Sequence, residues 1–201
     1  MRDDFSQANR SQMTVSFMPP KTIVLVGLMG SGKTSIGKRL AKRLELAFYD
    51  SDIEVEQAAG YPIKEIYDIF GEQAFLDGEQ RVIKRLLDQP THVLATGGGS
   101  FANEPTRKVV KEKAISVWLK ADLDTLVARV SRRSDRPMFT DTNHQEVLEQ
   151  LIAERYPVFE EADVHVQTLD EPTNATVDRV IQAMSDFIRA KYPDYYVLKS
   201  V

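Results

Sequence analysis

Residues 27–34 read Gly27-Leu28-Met29-Gly30-Ser31-Gly32-Lys33-Thr34, a complete G-x-x-x-x-G-K-[ST] loop that follows the apolar run Thr22-Ile23-Val24-Leu25-Val26 and precedes a helical pattern. Strand, glycine-rich turn and helix in that order commit the chain to a parallel α/β unit, because such a loop works only where a strand delivers it to the start of a helix. Glycine lets the backbone wind tightly enough to aim successive N–H groups at phosphate oxygens. A helix opening near Gly32 turns its positive dipole end to the same anions. Gly30, Ser31, Gly32, Lys33, Thr34 and Ser35 are therefore the candidate phosphate-binding residues, with Lys33 directed at the β- and γ-phosphates and the Thr34 hydroxyl at Mg²⁺.

With 201 residues, 42% of them hydrophobic, the chain is long enough for one well-buried core and short for two domains. A single domain is expected over 21–201, preceded by a polar arm over 1–20 that lacks the apolar stretch of a signal segment and is expected to fray. No apolar run reaches membrane-spanning length. The absence of cysteine removes disulfides, thiolate metal sites and thiol nucleophiles, and fits a cytoplasmic setting. A net charge of −4 argues against a general nucleic-acid-binding surface, so an anionic ligand must be held by a local cluster of cations.

Apolar spacing predicts strands over 22–26, 47–49, 92–95, 115–119 and 163–166. It predicts helices over 32–44, 54–59, 62–70, 73–87, 105–112, 123–130, 145–156 and 176–191. This alternation implies a largely parallel sheet covered on both faces, with ligands at the carboxyl ends of the strands. The second strand delivers Asp50-Ser51-Asp52 to that end, and the third delivers Gly97-Gly98-Gly99. Residues two apart in an extended segment point the same way, so both carboxylates can face the phosphate loop. One would support Mg²⁺ through water and the other accept a hydroxyl proton; alternatively, Asp-Ser-Asp simply caps the next helix. The tail Tyr195-Tyr196-Val197-Leu198 reads equally as a packing strap or as disordered.

Taken together, the phosphate loop, Asp50-Ser51-Asp52, Phe70-Gly71-Glu72, Ala95-Thr96-Gly97-Gly98-Gly99, Arg136-Pro137 and Arg155-Tyr156-Pro157 resemble the shikimate kinase family in order and approximate spacing, over about residues 21–187. The resemblance implies a three-layer α/β/α P-loop kinase with a central parallel sheet of about five strands and a mobile lid over about 131–143. It implies transfer of the γ-phosphoryl group of ATP to the 3-hydroxyl of shikimate, a step of aromatic amino-acid biosynthesis, by a monomer. It assigns Mg²⁺ to Thr34 directly and to Asp50 through water, and the acceptor hydroxyls and the role of base to Asp52. Gly98 would meet shikimate through its backbone and Arg155 would pair with its carboxylate. Arg136 matches the lid arginine that closes on the phosphates, with Lys33, and Arg129 the position that stacks on adenine. A bland alternative for Arg129, Arg132, Arg133 and Arg136 is a solvated basic face.

One position departs from the family. Where Phe-Arg-x-x-Glu is usual, this chain reads Phe75-Leu76-Asp77-Gly78-Glu79, with leucine in place of an arginine that grips the shikimate carboxylate. Three accounts are open: weakened acceptor binding, a different acceptor such as gluconate or a nucleoside monophosphate, or another cation such as Lys64 or Arg81 taking over. A nucleotide-binding module without turnover is the reading from a different class.

Overall fold

Five strands form one parallel sheet in the order β2-β3-β1-β4-β5: β1 (Thr22–Val26), β2 (Ala47–Asp50), β3 (His92–Ala95), β4 (Ala114–Ala121) and β5 (Val164–Thr168). The structure is a computed structural model and describes residues 17–132 and 144–195. The helices are α1 (Lys33–Leu44), α2 (Ser51–Ala59), α3 (Ile63–Leu87), α4 (Glu104–Lys113), α5 (Leu123–Ser131), α6 (His144–Phe159) and α7 (Thr173–Lys191).

Alternation along the central strand builds the three layers. Ile23 and Leu25 pack with Ile36 and Leu40 of α1 and Val177, Ile181 and Met184 of α7. Val24 and Val26 face the other way, into a cluster with Ile83 of α3, Val110 of α4, Leu126 of α5 and Phe159 of α6. All five residues of β1 are buried, as a strand covered on both faces requires. β1 pairs with β3 in the register Leu25↔Ala95 and with β4 in the register Leu25↔Val117. The chain leaves β1 for β2 on one side and later reaches β4 on the other. The crevice at the carboxyl end of β1 is therefore the place where an open parallel sheet binds ligands.

All the expected elements form, and several boundaries move for local reasons. α2 begins at Ser51 rather than Glu54 because the Asp50 carboxylate caps it, accepting from the Asp52 N–H at 3.2 Å. The stretch expected as two helices, 62–70 and 73–87, is one span whose backbone leaves helical geometry at Gly71, with φ 82° and ψ 169°. α6 was expected to end at Tyr156, yet it runs through Pro157 to Phe159, whose buried ring anchors the last turn. Of the expected N-terminal arm, Phe17 is buried in the cluster beneath α1 and α7, and the Met18 N–H bonds to the Tyr195 carbonyl. Arg136, most of the expected lid, and residues 196–198 of the tail lie outside the described residues.

Candidate active site

The phosphate loop joins β1 to α1. Gly32 caps α1 in the left-handed region at φ 95°, with no side chain bonded to the first-turn N–H groups, which leaves them to a ligand. The Lys33 ammonium crosses back over the loop and donates to the Gly27 and Leu28 carbonyls at 2.7 and 2.9 Å. The Ser31 hydroxyl is buried in the same loop and has no hydrogen-bond partner among the described residues. Both arrangements suit a loop shaped around an anion.

Thr34 Oγ1 donates to Asp50 Oδ2 at 2.8 Å. A hydroxyl and a carboxylate side by side are hard oxygen donors. They fit Mg²⁺, which keeps several waters and takes few protein ligands alongside substrate phosphates. No cluster of three or more His, Cys, Asp or Glu suited to a metal occurs among the described residues. Asp50 thus both caps α2 and stands beside Thr34, so its capping role leaves room for the metal reading.

A cavity of about 480 Å³ gathers Gly30, Gly32, Lys33, Thr34, Ser35, Asp50, Asp52, Gly98 and Arg129. Asp50 and Asp52 share it, although Asp52 sits in the first turn of α2 rather than in an extended segment. Arg129 was expected to offer its face to adenine. Its edges are engaged: Nη1 lies within 3.3–3.5 Å of the Gly30 and Ser31 carbonyls and Thr168 Oγ1, and Nη2 donates to the Leu169 carbonyl at 2.5 Å. The guanidinium so ties the phosphate loop to the end of β5, with Asp170, Glu171, Thr173 and Thr176 completing that wall. These four residues were not anticipated. They sit in the loop after β5 and the first turns of α7, at the sheet end where the fold rule directs attention.

A second glycine-rich segment, Gly97-Gly98-Gly99, follows β3, and Gly98 lines the same cavity. A Cβ on Gly98 would stand 3.1 Å from the Met29 nitrogen, so the two glycine-rich loops touch. The Arg155 Nη1 donates to the Gly98 carbonyl at 3.0 Å, bringing α6 onto the triplet. Gly97 donates its N–H to Ser51 Oγ at 3.1 Å. A Cβ there would meet Glu79 Oε1 at 2.8 Å, Asp52 Oδ1 at 2.9 Å and Ser100 Oγ at 3.0 Å, so two carboxyl groups converge on one glycine.

Glu79 was not anticipated as a site residue. It is 2% exposed, its Oε1 lies 2.5 Å from Ser100 Oγ, and among the described residues it forms no ion pair. Burial pushes its carboxyl up to about 7; the Asp52 charge adds to this and the Ser100 hydrogen bond opposes it. Tyr67, also unanticipated, stands where the charges of Glu72, Glu79, Arg155 and Asp52 all act on its phenol, whose pKa is raised chiefly by burial. Leu76 packs on the core cluster that contains Met29 and Phe75. Of the two alternative cations, Arg81 lines a separate groove with Val55, Ala58, Phe70 and Arg85, and Lys64 is exposed at the start of α3.

Comparison with known proteins agrees with this geometry. A family model described as shikimate kinase matches residues 29–185. A shikimate kinase from Caulobacter vibrioides is 56% identical over 164 residues, covering 82% of each chain. One from Rhodopseudomonas palustris is 47% identical over 179 residues, covering 89% of this chain and 88% of the relative. Among solved structures, shikimate kinase from Acinetobacter baumannii in complex with shikimate superposes with a TM-score of 0.79 at 32% identity, covering 86% of this chain and 95% of the other.

Proposed function

Because the chain belongs to the shikimate kinase family, we propose that it phosphorylates the 3-hydroxyl of shikimate with ATP and Mg²⁺, a step of aromatic amino-acid biosynthesis. The observation that carries this reading is the contact of the two glycine-rich loops. It sets a bed for phosphates directly beside the glycine triplet that Asp52 and Arg155 approach.

In this reading the backbone of Gly30, Ser31 and Gly32, the Ser35 hydroxyl and the Lys33 ammonium hold the phosphates of ATP. Thr34 ligates Mg²⁺ and Asp50 supports it through water; the ion supplies positive charge against the phosphate oxygens. Arg129, fixed by its edges, leaves its planar faces to stack on adenine. Arg155 pairs with the acceptor carboxylate and the Gly98 backbone lies against its ring. Asp52 holds the 3-hydroxyl and takes its proton while the oxygen bonds to phosphorus and the bond from phosphorus to the ADP oxygen breaks. Arg136 is assigned the closing cation of the lid over 131–143, within one domain over 21–201.

No described helix is long and apolar enough to cross a membrane. All the residues invoked come from one chain, and we take the enzyme to be a cytoplasmic monomer acting on small molecules rather than nucleic acid.

The test is ADP release at saturating Mg-ATP against shikimate concentration, with Asp52→Asn alongside. The parent should release ADP only in response to shikimate. The variant should bind ATP normally and lose about 10²–10⁴-fold in kcat, the range for a general base. Tight ATP binding with no response of the parent to shikimate defeats the reading.

A further inference from the structure

The Ser100 hydroxyl has one proton and two oxygens to serve. It lies 2.5 Å from Glu79 Oε1 and 3.2 Å from the carbonyl of Gly97, the first residue of the glycine triplet. If Glu79 is ionised, the proton goes to the carboxylate and the contact with Gly97 is lost. If Glu79 carries a proton, its O–H donates to Ser100 Oγ and the Ser100 O–H donates to Gly97. Every contact is then satisfied.

The charges around Glu79 favour the second arrangement. Asp52 approaches from α2, with its Oδ1 and Glu79 Oε1 both within 2.9 Å of where a Gly97 Cβ would stand. From the first half of α3, Tyr67 faces Glu79, with Glu72 beside that phenol. Arg155 of α6 is turned to the Gly98 carbonyl. Position 76 is one helical turn before Glu79 on the same face, where an arginine would pair with it, and it holds leucine. An ionised Glu79, buried and with no ion-pair partner of its own among the described residues, would stand beside the Asp52 carboxylate.

Resting on the shikimate reading above, we infer that Glu79 is a positioning residue which, as the neutral acid, braces the glycine triplet through Ser100 and leaves Asp52 as the charged carboxylate beside Gly97. Its ionisation releases the Gly97 carbonyl and adds a second negative charge where an anionic acceptor must bind. Acceptor affinity in this chain therefore falls as pH rises, whereas turnover of the bound acceptor does not.

The test is the shikimate KM and kcat from pH 6 to 9 at saturating Mg-ATP, for the parent, Glu79→Gln and Leu76→Arg. In the parent, KM should rise above pH 7, approaching tenfold per pH unit, with kcat level. Glu79→Gln, which keeps the shape of the neutral acid, should show a level KM. In Leu76→Arg the guanidinium pairs with Glu79 and should also remove the rise. A level KM in the parent, or a rise that persists in Glu79→Gln, overturns the inference.

A second readout does not depend on the acceptor. In protein labelled with ¹³C at glutamate carboxyls, the signal missing from Glu79→Gln should titrate near 7 in the parent, against an ordinary value of 4.5. Titration near the ordinary value overturns the inference whatever the acceptor is. Titration near 7 with no response to shikimate defeats the substrate reading alone.

Discussion

Thr34 and Asp50, brought together from the start of α1 and the end of β2, share a 2.8 Å hydrogen bond from Oγ1 to Oδ2. The same carboxylate accepts the Asp52 N–H through its other oxygen. One side chain thereby fixes both the Thr34 hydroxyl and the start of the helix that carries Asp52. Asp50→Asn should raise the Mg²⁺ concentration for half-maximal ADP release by about 10–100-fold, the usual effect of losing an outer partner of a metal ligand. It should change the melting temperature little, because asparagine also caps helices. An unchanged Mg²⁺ dependence would remove Asp50 from the metal site.

Gly97→Ala tests how closely the acceptor wall is packed. The added methyl meets the carboxyl oxygens of Glu79 and Asp52 and the Ser100 hydroxyl, all at 3.0 Å or less. If Asp52 is the proposed base, a displacement of its carboxylate by about 1 Å is enough for a loss of about 10²-fold in kcat/KM for shikimate. ATP affinity should hold, because the nucleotide bed lies across the loop contact. A variant with full activity would mean that these side chains yield freely.

Arg129→Ala should act on the nucleotide. Removing the hydrogen bonds to Gly30, Ser31, Thr168 and Leu169 frees the phosphate loop from the end of β5. Hydrogen bonds to charged groups are worth about 1.5–3 kcal/mol, so KM for ATP should rise about tenfold or more, with KM for shikimate little changed. Arg129→Lys should rescue only in part, since an ammonium lacks the planar fork. Equal changes in both KM values would point instead to general loosening of the site.

Glu79→Gln makes a prediction about stability. Below about pH 4.5 the folded and unfolded chains both hold the proton, and burial carries no extra penalty. Between about 4.5 and about 7 only the unfolded chain gives it up, so rising pH favours unfolding. Above about 7 the penalty is complete, on the order of 3 kcal/mol for a shift of this size. Glutamine carries no such penalty. Urea unfolding should find the variant more stable than the parent at pH 8 by a margin of that order, and nearly equal at pH 4. The same margin at both pH values would show that ionisation of Glu79 is not its source.

The layered sheet was legible because the residues that build it repeat. Ile36, Leu40 and Leu44 announce α1 by spacing alone, and the run from Thr22 to Val26 announces a strand buried on both faces. Boundaries were less legible because they follow from partners far away in the chain. β4 continues to Ala121 because β5 is there to pair with it as far as Thr168. Phe159, buried against Trp118 and Phe101, draws α6 past a proline that would ordinarily mark its end. The site divides in the same way. The phosphate loop and the Asp pair are contiguous and could be read directly, whereas Glu79 lies on a helix of weak amphipathic pattern. Nothing local says that it turns inward to meet Ser100, 21 residues on.

The loop contact recorded by Gly98 and Met29 has a metrical consequence. The two loops are continuations of β3 and β1, which are neighbours in the sheet with Ala95 opposite Leu25. Parallel neighbours stand about 4.8 Å apart. The offset between the two loops is thus set by the ladder of the sheet itself, and a slip of one rung between these strands would turn the side chains of one strand to the opposite face and carry its loop past the other.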